Sequence, residues 1–224
     1  MGMSSEDVER LDSIVKRSRP LHRGDHLFRG GDAFRCLFAV KTGSIKSYVA
    51  SEDGTEQVLG FHLPGELIGL SAIQSGFHCN SAKVLETTAV CEIPFDRLEE
   101  LTASIPGLQR QMYRIMSKEI VNDTDMLLLL GKKSADERLA AFLLSLSERF
   151  HKRGFSATEF NLSMSRHDIG SYLGLAVETV SRLFTRFQED GLVRVERRHI
   201  ELLDLERLHA ILEHGQRDPQ LHCR

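Results

Sequence analysis

Residues Met164–Arg198 constrain the fold more tightly than any other stretch of the chain. Ile169, Tyr172 and Leu173 fall three and four apart, which puts them on one face of a helix over Arg166–Leu173. Ser163 or Ser165 can cap that helix, with Asp168 favourable in its first turn. Gly174 ends it, because glycine takes a left-handed turn without a Cβ penalty. Val180, Leu183, Phe184 and Phe187 form the buried stripe of a second helix over Val177–Asp190. Glu178, Ser181, Arg182 and Thr185 lie off that stripe and face outward. Two short helices joined by a tight turn, the second with a polar face, predict a helix-turn-helix whose second helix is sized for a DNA major groove. The alternative is an ordinary helical hairpin packed in a core. Gly191 is a natural C′ glycine, and Leu192–Val195 and His199–Leu203 read as strands around Glu196-Arg197-Arg198. Such a wing is placed to touch backbone phosphate.

Upstream the periodicity is different. Glu6–Arg17 reads as a short helix with Val8, Leu11, Ile14 and Val15 inward and Pro20 as its stop. From Leu21 to Phe95, short apolar segments are cut by glycine turns: Leu27-Phe28, Leu37–Val40, Ile45–Val49, Gln57–Phe61, Leu67–Leu70, Ala82–Leu85 and Val90–Ile93. Asp53-Gly54 between two of them is a hairpin signal. Many short strands with regular turns predict a sandwich or jelly-roll β-barrel, and the absence of intervening helical patterns argues against a Rossmann sheet. A barrel of this kind can hold a small ligand in its lumen. Gly65-Glu66-Leu67 can position a carboxylate or simply make a turn.

Phe95–Leu101 reads as a short helix, and Gly107–Leu130 as a long one. Leu108, Met112, Ile115, Met116, Ile120, Leu127 and Leu130 give the long helix a repeating apolar side with coiled-coil-like spacing. The apolar run Met126–Leu130 suggests burial against both a partner and a domain. Glu119 and Asp123 sit on or beside this seam. Across a two-fold axis they would approach their own mates, and like charges in a drying interface oppose association. Ser134 with Glu137 makes a capping-box pattern before a helix over Ala135–Phe150 with Leu139, Phe142, Leu143 and Leu146 inward. Ser156–Leu162 reads as a strand, Leu205–Leu212 as a last helix, and Gln216–Arg224 as a frayed tail. The expected class is α+β, in three regions: a barrel domain over 1–105, a dimerisation helix over 106–130 and a winged helix-turn-helix over 131–224.

Charge is unevenly spread. Residues 1–130 carry 14 Lys/Arg against 18 Asp/Glu, whereas residues 131–200 carry 12 against 9. An acidic front and a mildly basic back suit a chain whose rear half touches phosphates. No run of eighteen apolar residues spans a membrane, and the start lacks a signal segment. Cys36, Cys79, Cys91 and Cys223 make no disulfide framework, so a reducing cytoplasm is the expected home. No metal-ligand spacing, G-x-S-x-G, P-loop or Rossmann fingerprint points to an enzyme. Ser165-Arg166-His167-Asp168 is triad-like only on paper, since consecutive residues cannot converge as a triad does.

The order of parts resembles the Crp/Fnr family of bacterial transcription regulators, and most closely its oxygen-responsive Fnr branch. The stretches that carry the resemblance are Gly60–Leu67, Leu85–Thr88, Val90–Phe95, Leu127–Lys133, Asp136–Ala140 and, longest and most specific, Tyr172–Arg182. The resemblance implies a homodimer on double-stranded DNA, with Glu178, Ser181 and Arg182 reading a TTGAT-like half-site repeated as an inverted pair. Chemically, Arg182 can donate twice to a guanine edge and Glu178 can accept from a cytosine amine. Val177 can meet a thymine methyl, and Thr179, Arg197 and Arg198 complete the expected DNA-contacting set. The resemblance also implies contact with RNA polymerase, and the turn Ser51–Thr55 matches one such surface loop.

Two departures qualify the resemblance. Cyclic-nucleotide members carry an Arg-Ser pair for the phosphate. Here His78-Cys79-Asn80-Ser81-Ala82-Lys83 lacks that arginine, so cyclic AMP is not the expected effector. Oxygen-sensing members hold a [4Fe-4S] cluster through three closely spaced N-terminal cysteines and a central one. Cys91 matches the central residue, while Cys36, Cys79 and Cys223 do not substitute for the others by spacing. The matching positions fall ahead of Met1-Gly2-Met3, a start that reads as that of a trimmed chain, so no cofactor is expected on this chain as it stands and a [4Fe-4S] cluster only on a longer one. Without it the dimer is expected to be weak, or the chain mostly monomeric. The alternatives are a cluster-independent regulator of the same family, and an effector-binding barrel whose rear domain serves protein contact.

Overall fold

The computed structural model describes residues 4–213; Met1-Gly2-Met3, Cys223 and the tail Gln216–Arg224 lie outside the described residues. The chain divides into two compact units, Met1–Thr124 and Asp125–Arg224.

In the front unit, α1 spans Ser5–Ile14, with Ser4 and Asp7 closing a reciprocal capping box at its start. It stops three residues short of the expected Arg17. Val15 turns extended, and Lys16–Arg17 become strand β1, paired with Glu92 and Cys91. Sheet pairing overrides a weak local preference for helix at these two residues. The other strands are β2 (His26–Phe28), β3 (Cys36–Thr42), β4 (Ile45–Ala50), β5 (Glu56–His62), β6 (Leu67–Ile68), β7 (Ser81–Val84) and β8 (Ala89–Pro94). Leu70, expected to extend a strand, opens a 3-10 turn over Leu70–Ala72 instead. The strands form two antiparallel sheets, ordered β1-β8-β3-β6 and β2-β7-β4-β5.

Strand alternation assigns the two faces of the first sheet to different cores. Val40, Ile68 and Val90 point into the barrel, where they meet Phe28, Ile45, Ala82 and Val84 of the second sheet. Leu37 and Ile93 point outward and pack with Leu98 of α2 (Phe95–Ser104), with Ile105, and with Leu108 and Met112 of α3 (Pro106–Lys132). The expected dimer seam is corrected at this point. Leu108 and Met112 are 4% and 8% exposed and belong to their own unit's core, with Met116 packed beside them. Burying each such side chain contributes about 1.5–3 kcal/mol, so neither is available to a partner.

The rear unit holds α4 (Ala135–His151), β9 (Glu159–Asn161), α5 (Arg166–Leu173), α6 (Val177–Glu189), β10 (Val193–Glu196), β11 (His199–Leu202) and α7 (Leu205–Glu213). The expected box at the start of α4 is present: the Glu137 backbone N–H donates to Ser134 Oγ, and the Ser134 backbone N–H donates to Glu137 Oε2 at 2.8 Å. Burial raises the Glu137 carboxyl, but hydrogen bonds from Lys133 and Ser134 outweigh it and hold that group below its ordinary value. Leu139, Leu143 and Leu146 of α4 are fully buried, as are Ile169, Leu173, Phe187, Ile200 and Leu208. The strand expected over Ser156–Leu162 shortens to β9, and the three strands run in the order β10-β11-β9.

Candidate nucleic-acid interface

The reading head is built from α5, a tight turn and α6. Ser165 caps α5: the Asp168 backbone N–H donates to Ser165 Oγ at 3.1 Å, and the Asp168 carboxylate accepts from the Ser165 backbone N–H and hydroxyl. Gly174 closes α5 at φ 63°, the left-handed position its sequence requires. Gly170 is needed for a different reason. The Leu175 N–H donates to the Gly170 carbonyl at 2.9 Å, and a Cβ at Gly170 would lie 2.6 Å from the Leu175 carbonyl oxygen. The turn can fold back this closely only over a residue without a side chain.

α6 divides sharply. Val180, Leu183, Phe184 and Phe187 are buried, while Glu178, Ser181, Arg182, Thr185 and Arg186 are exposed, and Val177 is 36% exposed at the first turn. The Ser181 hydroxyl donates to the Val177 carbonyl at 2.9 Å, so toward a base it presents lone pairs. Arg182 Nη2 donates to Thr179 Oγ1 at 3.4 Å. Thr179 is only half-buried beneath that guanidinium, and its contact is with Arg182 rather than outward. Arg186 is held by an ion pair with Asp136 of α4. The Glu178 carboxylate sits in the first turn of α6, where the helix dipole favours negative charge.

From sequence alone, Arg166 marks only the start of a helix. Its guanidinium lies 3.3 Å above the Phe184 ring and fastens the first turn of α5 to the buried face of α6. Burial pulls its pKa down to about 10, so it stays cationic at neutral pH. No local signal marks this contact, because the two residues are eighteen positions apart. The wing lies between β10 and β11, with Glu196 opposite His199 and Arg197-Arg198 at the tip, both exposed. Arg197 has φ 58°, the left-handed value that lets the two-residue turn close.

On α3, the exposed apolar residues are Tyr113, Ile120, Val121, Leu127 and Leu128. Tyr113, Ile120 and Leu127 recur every seven residues, and Met116, Asp123 and Leu130 follow each of them by three. That is a/d heptad spacing, with Asp123 in its d row. Ile115 and Glu119 are half-buried, and Asp123 is exposed. The seam expected from sequence does not include Tyr113 or Val121, although counting sevens back from Leu127 reaches Tyr113. Of the Met126–Leu130 run expected to be buried, Leu127 is 73% and Leu128 49% exposed in the single chain.

Comparison with known proteins decides between a regulator and a generic helical hairpin. Residues 137–211 match the Crp-like helix-turn-helix domain, and residues 18–104 match the cyclic nucleotide-binding domain. The transcriptional activator protein Anr of Pseudomonas protegens is 55% identical over 204 residues, covering 91% of this chain and 84% of that protein. The fumarate and nitrate reduction regulatory protein of Escherichia coli K12 is 49% identical over 212 residues, covering 95% and 85%. The solved structure of FixK2 from Bradyrhizobium japonicum superposes with a TM-score of 0.80 at 32% identity, over 88% of this chain and 97% of that one. The chain belongs to the Crp/Fnr family of transcription regulators.

Its barrel can be compared with that family's two sensing chemistries. The Arg-Ser pair of nucleotide-binding members has no arginine here: Asn80 and Ser81 are half-buried, and Lys83 Nζ lies 3.8 Å from Glu56. His78, buried to 4% exposure, lies 3.5 Å from a Cβ position at Gly69 and is packed between Phe28 and Phe34. Cys91, which the resemblance matches to a cluster cysteine, is half-buried. Register places Cys91 opposite Ala39 on the outward face of the first sheet, with Ile93. Cys36, opposite Pro94, points to the other face, and Cys79 is exposed beyond the 3-10 turn. Among the described residues, no group of three or more Cys, His, Asp or Glu side chains can hold a metal ion. Among the described residues no helix is long and apolar enough to cross a membrane.

Proposed function

We propose that this chain is a sequence-specific, homodimeric DNA-binding regulator of the Fnr type that reads an inverted TTGAT-like repeat and controls anaerobic or redox-responsive genes in the cytoplasm. The observation that carries this reading is the division of α6: four apolar side chains sealed inward, and Glu178, Ser181 and Arg182 outward on one exposed face. Arg182, steadied by Thr179, is the donor for guanine; Glu178 is the acceptor for cytosine; Val177 offers an apolar contact to a thymine methyl. Arg197 and Arg198 at the wing tip supply phosphate contacts that set orientation without reading sequence.

Dimerisation runs along the Tyr113, Ile120 and Leu127 row of α3, with Asp123 facing its own mate in the d row and keeping the seam weak. Two copies of α6 then meet successive major grooves about one helical turn apart. The loop Ser51–Thr55, closed by the Thr55 N–H donating to Asp53 Oδ1 at 2.9 Å, is the surface offered to RNA polymerase. In this reading the protein performs no catalysis, in keeping with relatives named as transcription regulators.

A second reading within the family is a regulator that works without a cluster. It is favoured by the opposite facing of Cys36 and Cys91, which leaves Cys91 as one thiol on its face of the sheet among the described residues. Iron and sulfide analysis of the protein purified anaerobically separates the two. The main reading is tested by fluorescence anisotropy on a duplex carrying the inverted TTGAT-like repeat and on a scrambled duplex of the same length. Preference for the repeat by at least about a thousandfold at physiological salt is expected. Equal affinity for both duplexes would overturn it.

A further inference from the structure

The segment between α3 and α4 gathers the carboxyl ends of three helices. The last carbonyls of any helix lack intrahelical partners and carry partial negative charge. Arg138, in the first turn of α4, donates from Nη2 to the Leu130 carbonyl at 2.7 Å and from Nε to the Lys133 carbonyl at 2.9 Å, both at the end of α3. Its third donor, Nη1, reaches the Leu173 carbonyl at the end of α5 at 3.0 Å. Beside it, Lys133 Nζ donates to the Leu212 carbonyl at the end of α7 at 3.0 Å and to Glu137 at 2.8 Å. A Cβ on Gly174 would stand 3.4 Å from Arg138 Nη1 and 3.6 Å from Leu130 Cδ2, so the turn of the reading head is seated on the same group.

A guanidinium is planar and its donors leave in fixed directions. One rigid plane therefore ties the last turn of α3 to the last turn of the first reading helix. We propose that Arg138 is a positioning residue that sets the spacing between half-sites, by fixing the direction in which α3 leaves the reading head. This rests on the homodimeric reading above. Arg138 contacts no base; it determines which pair of grooves two joined heads can reach together. Lysine cannot replace it, because a single ammonium on a flexible stem does not span three carbonyls on two helices.

The test uses the full chain, Arg138→Ala and Arg138→Lys, on inverted repeats whose central spacer is shortened or lengthened by one and two base pairs. Each base pair added moves one half-site by about 3.4 Å and turns it about the duplex axis. The wild type is expected to lose about tenfold in affinity for each base pair away from its best spacer. Both variants are expected to bind the best spacer more weakly and to flatten the profile to within about threefold across the series. Melting curves establish that each variant is folded at the assay temperature, and Arg138→Lys decides the matter where Arg138→Ala is not. A variant that weakens every spacer in equal ratio, or keeps the wild-type profile, would overturn the proposal. A wild type that prefers the repeat to scrambled DNA yet ignores spacer length would also overturn it and leave the reading of Glu178 and Arg182 standing. A wild type with no preference for the repeat at all would overturn both.

Discussion

The His78 imidazole lies face to face on the Phe28 ring, with centroids 3.6 Å apart and planes inclined by 13°. Its Nδ1 is buried without a hydrogen-bond partner. Burial lowers its pKa from 6.5, against a smaller opposing pull from Asp32. The native state therefore keeps the ring neutral where the unfolded chain begins to protonate it. Below pH 6.5 the unfolded state binds more protons, so stability declines as pH falls and is complete above that value. Thermal melts of wild type and His78→Phe between pH 7.5 and 5.5 isolate this contribution. The variant is expected to lose less stability on acidification, and parallel curves would show that His78 contributes nothing to the pH dependence.

Gly170→Ala tests the fold-back of the turn. The new methyl would meet the Leu175 carbonyl oxygen at 2.6 Å, and backbone has no rotamer by which to escape. A loss of about 1–3 kcal/mol in urea unfolding is expected, with DNA affinity falling as the α5–α6 angle opens. An unchanged unfolding midpoint would mean that the turn relaxes at no cost.

Arg182→Ala separates base reading from charge. With its guanidinium aimed outward beside Thr179, the loss is expected to be about 1–3 kcal/mol per half-site, confined to the target sequence. Equal weakening on target and scrambled duplexes would make Arg182 a phosphate contact. Thr179→Ala, which removes the prop, is expected to give a smaller loss in the same sense.

Asp123 occupies the d position between Met116 and Leu130, a row otherwise apolar. Asp123→Ala is expected to tighten the dimer by at least about tenfold at low salt, by removing a like-charge approach across the two-fold. Raising ionic strength should shrink the difference, because screening reduces the repulsion that the substitution deletes. Sedimentation across a concentration series reads this directly, and a variant no tighter than wild type would place Asp123 outside the interface.

The reading head was legible because its rules are local. A glycine after an apolar 3-4 pattern and a polar face three residues wide need no knowledge of the rest of the chain, and α5 emerged with its expected bounds. The barrel strands were legible from glycine spacing, though not their partners. Periodicity marks a residue as buried without saying what buries it, so Leu108 and Met112 were given to a partner when their own sheet had claimed them. Strand β1 was missed because Lys16 and Arg17 are held by Glu92 and Cys91, far along the sequence. Arg138 and Arg166 were missed for the same reason: their acceptors and ring lie on other elements.

Phe28, Val40, Ile45, Ile68, Ala82, Val84 and Val90 pack into one buried cluster between the two sheets of the barrel. Ile93, on the outward side that Cys91 shares, belongs to the same buried cluster as Leu108 and Met112. The thiol of Cys91 thus stands on the side of the first sheet that packs against α2 and the front half of α3, apart from the side chains that line the lumen.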